Sequence, residues 1–431
     1  MNMGLWLLIC FVVLTFMGMP IGASIGLTAF SYFMINNEMF FMLAMPQRIF
    51  AGLNSFELLA VPMFILAGDL LYAGKVSKTL VDLANALIGH VKGGMGMVAT
   101  VACMFFGAVS GSGPATSAAV GAVVAPEMEE LGYPNSFTAA VIASAGPIGV
   151  LIPPSIMMVV YGVVANLSIA TLLLAGVGPG LLYTLFLCLY IYYASVKNNY
   201  GVVSKFSPKA ALIAFKNALW ALLTPIIILG GIYSGFFTPT EAAVVTVFYA
   251  LIVGMFVYKA VTPKTLPTIL LNSAVTSASI MFIVAAIACL SWVMTRELIH
   301  AQVATLVRNN VSTQVGFLLL TNVVLIFAGM VANGSSIILL MAPLLHPVAM
   351  EFGIDPIFYG TMFVANLAIG MVTPPVAVTL YVAARVCKVP IVAITRAVVP
   401  FFFVLMAALF TLMMFPEIAL FLPRVLLGYG G

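Results

Sequence analysis

Three windows of this chain contain no Asp, Glu, Lys or Arg: residues 1–37, 93–126 and 131–196. The last window is 66 residues long, whereas one bilayer crossing needs only about 20 apolar residues. Because 64% of all residues are hydrophobic and 6% are charged, the chain has room for on the order of ten or more crossings. This pattern excludes a soluble fold and predicts an all-α polytopic membrane protein.

Helices are expected rather than outer-membrane strands, because residues 181–193 do not alternate between apolar and polar side chains. The five cysteines and three histidines form no CxxC or HExxH pair, so we expect no disulfide and no transition-metal site. Residues 197–216 carry four lysines and no acid, which is typical of a cytoplasmic loop. The net charge of +4 does not indicate nucleic acid as a partner.

The chain contains an internal repeat. Six Gly, Pro and Phe residues of the first half recur as the same type 221 positions later, among them Phe106 as Phe327 and Gly149 as Gly370. Such matches are informative because Gly and Pro are not interchangeable with other apolar residues. We predict a first structural repeat at 1–200, with a helical hairpin at about 105–133 and a broken helix at about 135–166. The second repeat, at 201–431, has its hairpin at about 326–354 and its broken helix at about 356–386.

Both predicted hairpins and both broken helices contain Gly, Pro and small polar residues. Paired interruptions of this kind predict the binding site of a secondary transporter, because unwound backbone at membrane depth is tolerated only where it lines a cavity or is buried in protein. The ends of broken helices offer carbonyls to a cation and N–H groups to an anion. The alternative is a set of kinks in which small residues let helices pack closely.

Hydroxyl, amide and carbonyl oxygens are the ligands that hard cations prefer. We therefore expect sodium at Ser110, Gly111, Ser112, Gly113, Gly146, Gly149 and Pro153, and at Asn333, Gly334, Ser335, Gly370 and Thr373. A substrate carboxylate would lie between the two sodium sites. Its candidate ligands are Thr116, Ser117, Ser155, Ser336, Asn366, Pro375 and Arg385. For Arg385, a position at the membrane interface is the alternative.

Three carboxylates, Glu57, Asp69 and Glu241, lie in or beside apolar segments. A carboxylate is costly at membrane depth and is usually paired or functional there. Glu241 follows Thr238, Pro239 and Thr240, which places it in the first turn of a helix, where the helix dipole favours negative charge. We expect structural roles for all three.

Four motifs closely resemble the large membrane subunit of TRAP (tripartite ATP-independent periplasmic) transporters: SGSGPATSAAVG at 110–121, PEMEELGY at 126–133, GVLIPPS at 149–155 and TPPV at 373–376. The resemblance extends over essentially the whole chain. It implies inverted repeats and an elevator mechanism in the bacterial inner membrane, with a scaffold at about 1–92 and 205–312 and a transport domain at about 93–185 and 313–395. The implied partners are a small membrane subunit and a periplasmic substrate-binding protein.

The resemblance also implies a sodium gradient as the driving force and an organic acid as the solute, either a C4-dicarboxylate or sialic acid. Pro147, the Met157–Met158 pair and Arg385 depart from the family's usual pattern, and these departures leave the solute open. Two alternatives are an ion channel with re-entrant loops and a sodium-dependent anion transporter without a binding protein. An enzyme is not expected, because Ser112 has no His or Lys partner within the apolar segments.

Overall fold

A computed structural model describes residues 3–74, 76–201, 206–311, 313–375 and 377–430. These residues form twenty α-helices, three short 3-10 segments and one π-helical turn, and no β-strand occurs among them. The predicted all-helical fold is therefore confirmed. Lys205, one of the four lysines of the predicted cytoplasmic loop, lies outside the described residues.

Ten helices form the first half of the chain. They are α1 (Met3–Phe16), α2 (Ile21–Ile35), α3 (Met45–Leu53), α4 (Ala60–Ala73), α5 (Val76–Ile88), α6 (Gly94–Ser110), α7 (Gly113–Glu130), α8 (Asn135–Ala145), α9 (Ile156–Ala165) and α10 (Ile169–Asn198). A 3-10 segment, Gly146–Val150, continues α8. Proline lies in the first turn of α7 and of the 3-10 segment, where its missing N–H costs no helical hydrogen bond.

Ten further helices form the second half. They are α11 (Pro208–Tyr233), α12 (Pro239–Ile252), α13 (Leu266–Arg296), α14 (Ile299–Asn310), α15 (Gln314–Val331), α16 (Gly334–Glu351), α17 (Pro356–Gly370), α18 (Val378–Cys387), α19 (Ile391–Met414) and α20 (Glu417–Leu427). Helices α15 to α18 follow the same order of elements as α6 to α9, namely a hairpin and then an interrupted helix.

Six of the described helices are long and apolar enough to cross a membrane alone: α10, α11, α12 with its π-helical turn, α13, α16 and α19. The number rises to eight if each of two bent helix pairs counts as one crossing. The sequence predicts about ten or more, and the difference arises from interruption. Several apolar segments are divided into helices of 10–17 residues, which are too short to cross alone because one crossing needs about 20 residues.

The helices pack in two main groups. Helix α4 packs on α12, and α13 packs on α2, α3 and α4. In the other group the two halves interleave, because α16 packs on α9, and α18 packs on both α7 and α8. Helices α4 and α13 also contact the second group, through α6, α9 and α16. The candidate site lies where the two groups meet.

Each hairpin crosses its broken helix at a pair of glycines. A Cβ atom added to Gly107 in α6 would lie 2.5 Å from the Cα of Gly149, and one added to Gly329 in α15 would lie 2.8 Å from the Cα of Gly370. Real Cβ atoms do not approach backbone so closely. Glycine is therefore required at both crossings, which let backbone pack on backbone.

We predict that Gly107→Ala and Gly329→Ala each lower the melting temperature of the purified protein. The expected cost is about 1–3 kcal/mol, as for other overpacked interiors. Gly230→Ala is the matched control, because a Cβ at this exposed position in α11 meets no atom within 4 Å. Equal melting temperatures for all three variants and the wild type would contradict the glycine crossings.

Candidate functional site

The turn of the first hairpin is held against the break in the first interrupted helix. Helix α6 ends at Ser110, Gly111 adopts a left-handed conformation with φ of 64°, and α7 begins at Gly113. The Gly111 carbonyl accepts a hydrogen bond from the backbone N–H of Ile156, at 3.4 Å. A Cβ on Gly111 would lie 1.9 Å from the Pro154 carbonyl oxygen, so only glycine permits this contact.

A cavity of about 250 Å³ lies beside this turn. Both halves of the chain contribute to its wall, through the two hairpin turns, the two helix breaks and helices α4 and α13. Its lining residues are Ile65, Gly68, Asp69, Ser110, Gly111, Ser112, Gly113, Pro114, Ala115, Val150, Ile156, Met157, Thr276, Ile280, Asn333, Ser335 and Met371. Six of the twelve predicted sodium ligands thus share one cavity: Ser110, Gly111, Ser112, Gly113, Asn333 and Ser335.

Further predicted oxygen ligands lie directly behind the first hairpin turn. The hydroxyls of Ser110 and Thr116 are 3.0 Å apart and buried, and the Ser117 hydroxyl donates to the Ile142 carbonyl at 3.3 Å. Glycine makes room for both hydroxyls. A Cβ on Gly149 would lie 2.5 Å from Thr116 Oγ1, and one on Gly146 would lie 1.7 Å from Ser117 Oγ.

The second half presents a comparable but sparser arrangement. Asn333 precedes the first residue of α16 and is exposed to the cavity, while Ser335 is nearly buried in its wall. The Thr373 hydroxyl lies in the break after α17 and donates to the Ile369 carbonyl at 2.8 Å. Gly370 occupies the glycine crossing with α15. The predicted ligands of the second half are therefore divided: Asn333 and Ser335 line the cavity, whereas Gly370 and Thr373 lie in the break outside its lining.

The cavity wall contains none of the seven residues predicted to bind the substrate. Thr116 and Ser117 lie behind the first turn. Ser155 caps the N-terminus of α9, where its Oγ accepts from the Met158 N–H at 3.1 Å and donates to the Val150 carbonyl. Pro153 lies buried in the same break.

The other predicted substrate ligands lie elsewhere. Ser336 lines a separate apolar cleft beside α1 and α2, while Pro375 and Arg385 are exposed to the surroundings. Asn366 is fully buried, and its amide donates to the backbone carbonyl and the side-chain oxygen of Asn322, at 3.0 and 2.8 Å. This contact joins α17 to α15.

Eleven lining residues of the cavity are not among the predicted ligands, and four of these carry a carboxylate, a hydroxyl or a thioether. Asp69 of α4 accepts a hydrogen bond from the Ser273 hydroxyl at 2.5 Å, and Thr276 lies one turn further along α13. Met157 and Met371 come from the two helix breaks. Asp69 had a sequence signal, since it is a carboxylate in an apolar segment. Glu241, in contrast, forms a capping box with Thr238, the structural role that its position predicts.

The electrostatics of the cavity come mainly from helix ends. Among the described residues that line it, Asp69 is the only charged one. Three helices, α7, α9 and α16, begin at the cavity wall. The first N–H groups of a helix have no partner within the helix and carry partial positive charge. The arrangement can therefore bind an anion without a lysine or an arginine.

A family model described as "Tripartite ATP-independent periplasmic transporter, DctM component" matches residues 8–418. The chain belongs to this family. The C4-dicarboxylate TRAP transporter large permease protein DctM of Rhodobacter capsulatus is 39% identical over 428 residues, which cover 95% of this chain and 96% of that protein. The sialic acid TRAP transporter large permease protein SiaM of Vibrio cholerae is 37% identical, with 97% of each chain covered.

The fold is also similar to a solved transporter structure, that of YdaH from Alcanivorax borkumensis. The TM-score is 0.65, the sequence identity is 15%, and 91% of this chain and 90% of that chain are covered. The family model and the two relatives confirm the predicted family. This TRAP large permease is a multi-pass inner-membrane protein that transports a substrate and is not an enzyme. Its family implies a small membrane subunit and a periplasmic binding protein as partners.

We predict that Asn322→Leu and Asn366→Leu each lower the melting temperature of the permease by an amount that corresponds to about 1–3 kcal/mol. Asn322→Leu removes the side-chain acceptor of the buried Asn366 amide, and Asn366→Leu leaves the buried Asn322 side-chain oxygen without this donor. The double variant should lose less stability than the sum of the two single variants, because it leaves neither amide unpaired. A strictly additive double-mutant cycle would contradict the pairing.

Proposed function

We propose that this permease imports a carboxylated solute together with sodium, within a complex that contains a small membrane subunit and a periplasmic binding protein. The names of two relatives give C4-dicarboxylates and sialic acid as solute types. The observation that carries the proposal is the meeting of both hairpin turns, both helix breaks and three helix N-termini at one cavity. Isolated kinks would not need to converge in this way.

The solute carboxylate would bind in the cavity, close to the N-termini of α7 and α16. Hydrogen bonds from these N–H groups and from the hydroxyls of Ser112 and Ser335 suit a carboxylate. Asp69 adds negative charge to the same wall and would repel a solute carboxylate that binds without sodium. Bound sodium would compensate the charges of Asp69 and the carboxylate, which gives a physical reason for coupled binding.

The first sodium ion would lie between the turn at 110–113 and the break at 146–153. Oxygens of suitable chemistry are present there: the hydroxyls of Ser110 and Thr116 are buried 3.0 Å apart. Helix α6 ends at Ser110, and the last carbonyls of a helix lack donors within the helix. The second sodium ion would lie between the turn at 333–335 and the break at 370–373, where Thr373 and the end of α17 supply oxygens. Both ligand sets are neutral, as expected for a monovalent cation that must be released.

An elevator mechanism fits the position of the cavity. Hairpin turns and helix breaks form most of its wall, and α4 and α13 close one side. If the predicted transport domain, at about 93–185 and 313–395, moves as a unit against α4 and α13, the bound solute and sodium move with the turns. Asp69 belongs to α4 and does not move with this unit. After the movement, the cavity opens to the opposite side of the membrane.

The coupling is tested by solute uptake into proteoliposomes that contain the permease, its small subunit and its periplasmic binding protein. We expect uptake with an inward sodium gradient and little uptake with an equal potassium gradient. Undiminished uptake without sodium would contradict the coupling. Single-channel currents would instead support the channel, and equal uptake without the binding protein would support a two-component or single-component anion transporter.

We further predict that Ser110→Ala and Thr116→Val each raise the sodium concentration for half-maximal uptake by about tenfold, because each removes one oxygen contact to the ion. One polar contact to a charged group is worth about 1.5–3 kcal/mol, and a tenfold change corresponds to about 1.4 kcal/mol. Ser279→Ala, at an exposed serine of α13, should leave the value unchanged. An unchanged sodium dependence in both site variants would place the ion elsewhere.

A further inference from the structure

Two methionines connect the halves of the permease across the cavity. Met157 stands in the first turn of α9, just after the break of the first half, and Met371 follows α17 at the break of the second half. Both line the cavity, and their side chains are nearly buried, with 4% and 6% of each residue exposed. They are therefore part of the packed wall rather than surface residues.

Each methionine reaches the hairpin of the opposite half. A Cβ added to Gly334, the first residue of α16, would lie 2.2 Å from Cε of Met157. A Cβ added to Gly113, the first residue of α7, would lie 3.3 Å from Sδ of Met371. The two thioethers thus fill the space beside the two helix N-termini that we assign to carboxylate binding.

The remaining volume is small. Pockets for drug-sized ligands measure about 300–1,000 Å³, whereas this cavity measures about 250 Å³. The cavity therefore lies at the small end of ligand sites, which favours an acid of C4-dicarboxylate size over one with the ring and substituents of sialic acid.

We propose that Met157 and Met371 together set an upper limit on the size of the transported acid and select a small carboxylate over a bulky sugar acid. This inference rests on the proposed function. Methionine suits the role because its long, unbranched side chain fills an irregular gap closely. Truncation of either side chain joins its volume to the cavity at the carboxylate-binding end.

The test measures acid binding to the purified complex of the permease and its small subunit, without the periplasmic protein, so that only the membrane site selects. Thermal stabilisation in sodium is titrated with succinate and with sialic acid. For the wild type we expect stabilisation by succinate at concentrations at least tenfold lower than those needed for sialic acid. Met157→Ala and Met371→Ala should each lower the sialic acid concentration needed by about tenfold.

Two controls separate size selection from loss of packing. Met158→Ala truncates the neighbouring, fully buried methionine that does not line the cavity, so it should lower stability without changing the ratio of the two acids. Met157→Leu nearly conserves side-chain volume, so it should keep the wild-type ratio of the sialic acid and succinate concentrations needed for stabilisation. This variant still tests the size limit if an alanine variant fails to fold.

The outcomes are distinct for the two proposals. A wild type that binds both acids equally well, or alanine variants with the wild-type ratio, would overturn the size limit and leave acid transport standing. A wild type that binds no carboxylate in sodium, across a panel of acids from two to nine carbons, would overturn the proposed function and the size limit together.

Discussion

Every interruption of a helix at membrane depth leaves backbone groups that lipid cannot satisfy, so another part of the chain must cover it. In each half of this permease a hairpin packs against the broken helix. The first turn closes on the first break through the Gly111 carbonyl and the Ile156 N–H, and the glycine crossings bring backbone within van der Waals contact in both halves. Because the backbone of a turn packs against the backbone of a break, their polar groups together form a polar site within an apolar protein.

The same arrangement explains how so few charges suffice for the proposed transport of an acid. Among the described residues of the cavity wall only Asp69 is charged, and its sign is the same as that of the proposed solute. Positive potential comes from the N-termini of α7, α9 and α16, and its strength depends on the exclusion of water and lipid by close packing. In this account sodium supplies the remaining positive charge, which ties solute binding to the ion.

The sequence predicts the breaks well, because Gly and Pro act locally on the backbone. The turns at 111–112 and the break at 151–155 lie where these residue types accumulate. The direction of a side chain near a break depends instead on tertiary packing. Ser155 turns back to cap α9, and Asn366 pairs with Asn322 in another helix. Neither outcome could be predicted from residue type alone.

Contacts between the two halves also cannot be predicted from local sequence. Met157 meets Gly334, which lies 177 positions away, and nothing in the residues between them specifies that contact. The sequence singles out Asp69 as a carboxylate in an apolar segment, but its place in the cavity depends on how α4 packs against the first hairpin turn.

The central claim is that both hairpin turns and both breaks form one site for the solute and its sodium. The most direct test is a high-resolution cryo-electron microscopy structure of the complete transporter with sodium and a bound acid. The account predicts density for the acid between Ser112 and Asn333, with ion density behind the first turn near Ser110 and Thr116. Acid density in the apolar cleft beside α1, or anywhere outside the cavity, would contradict it.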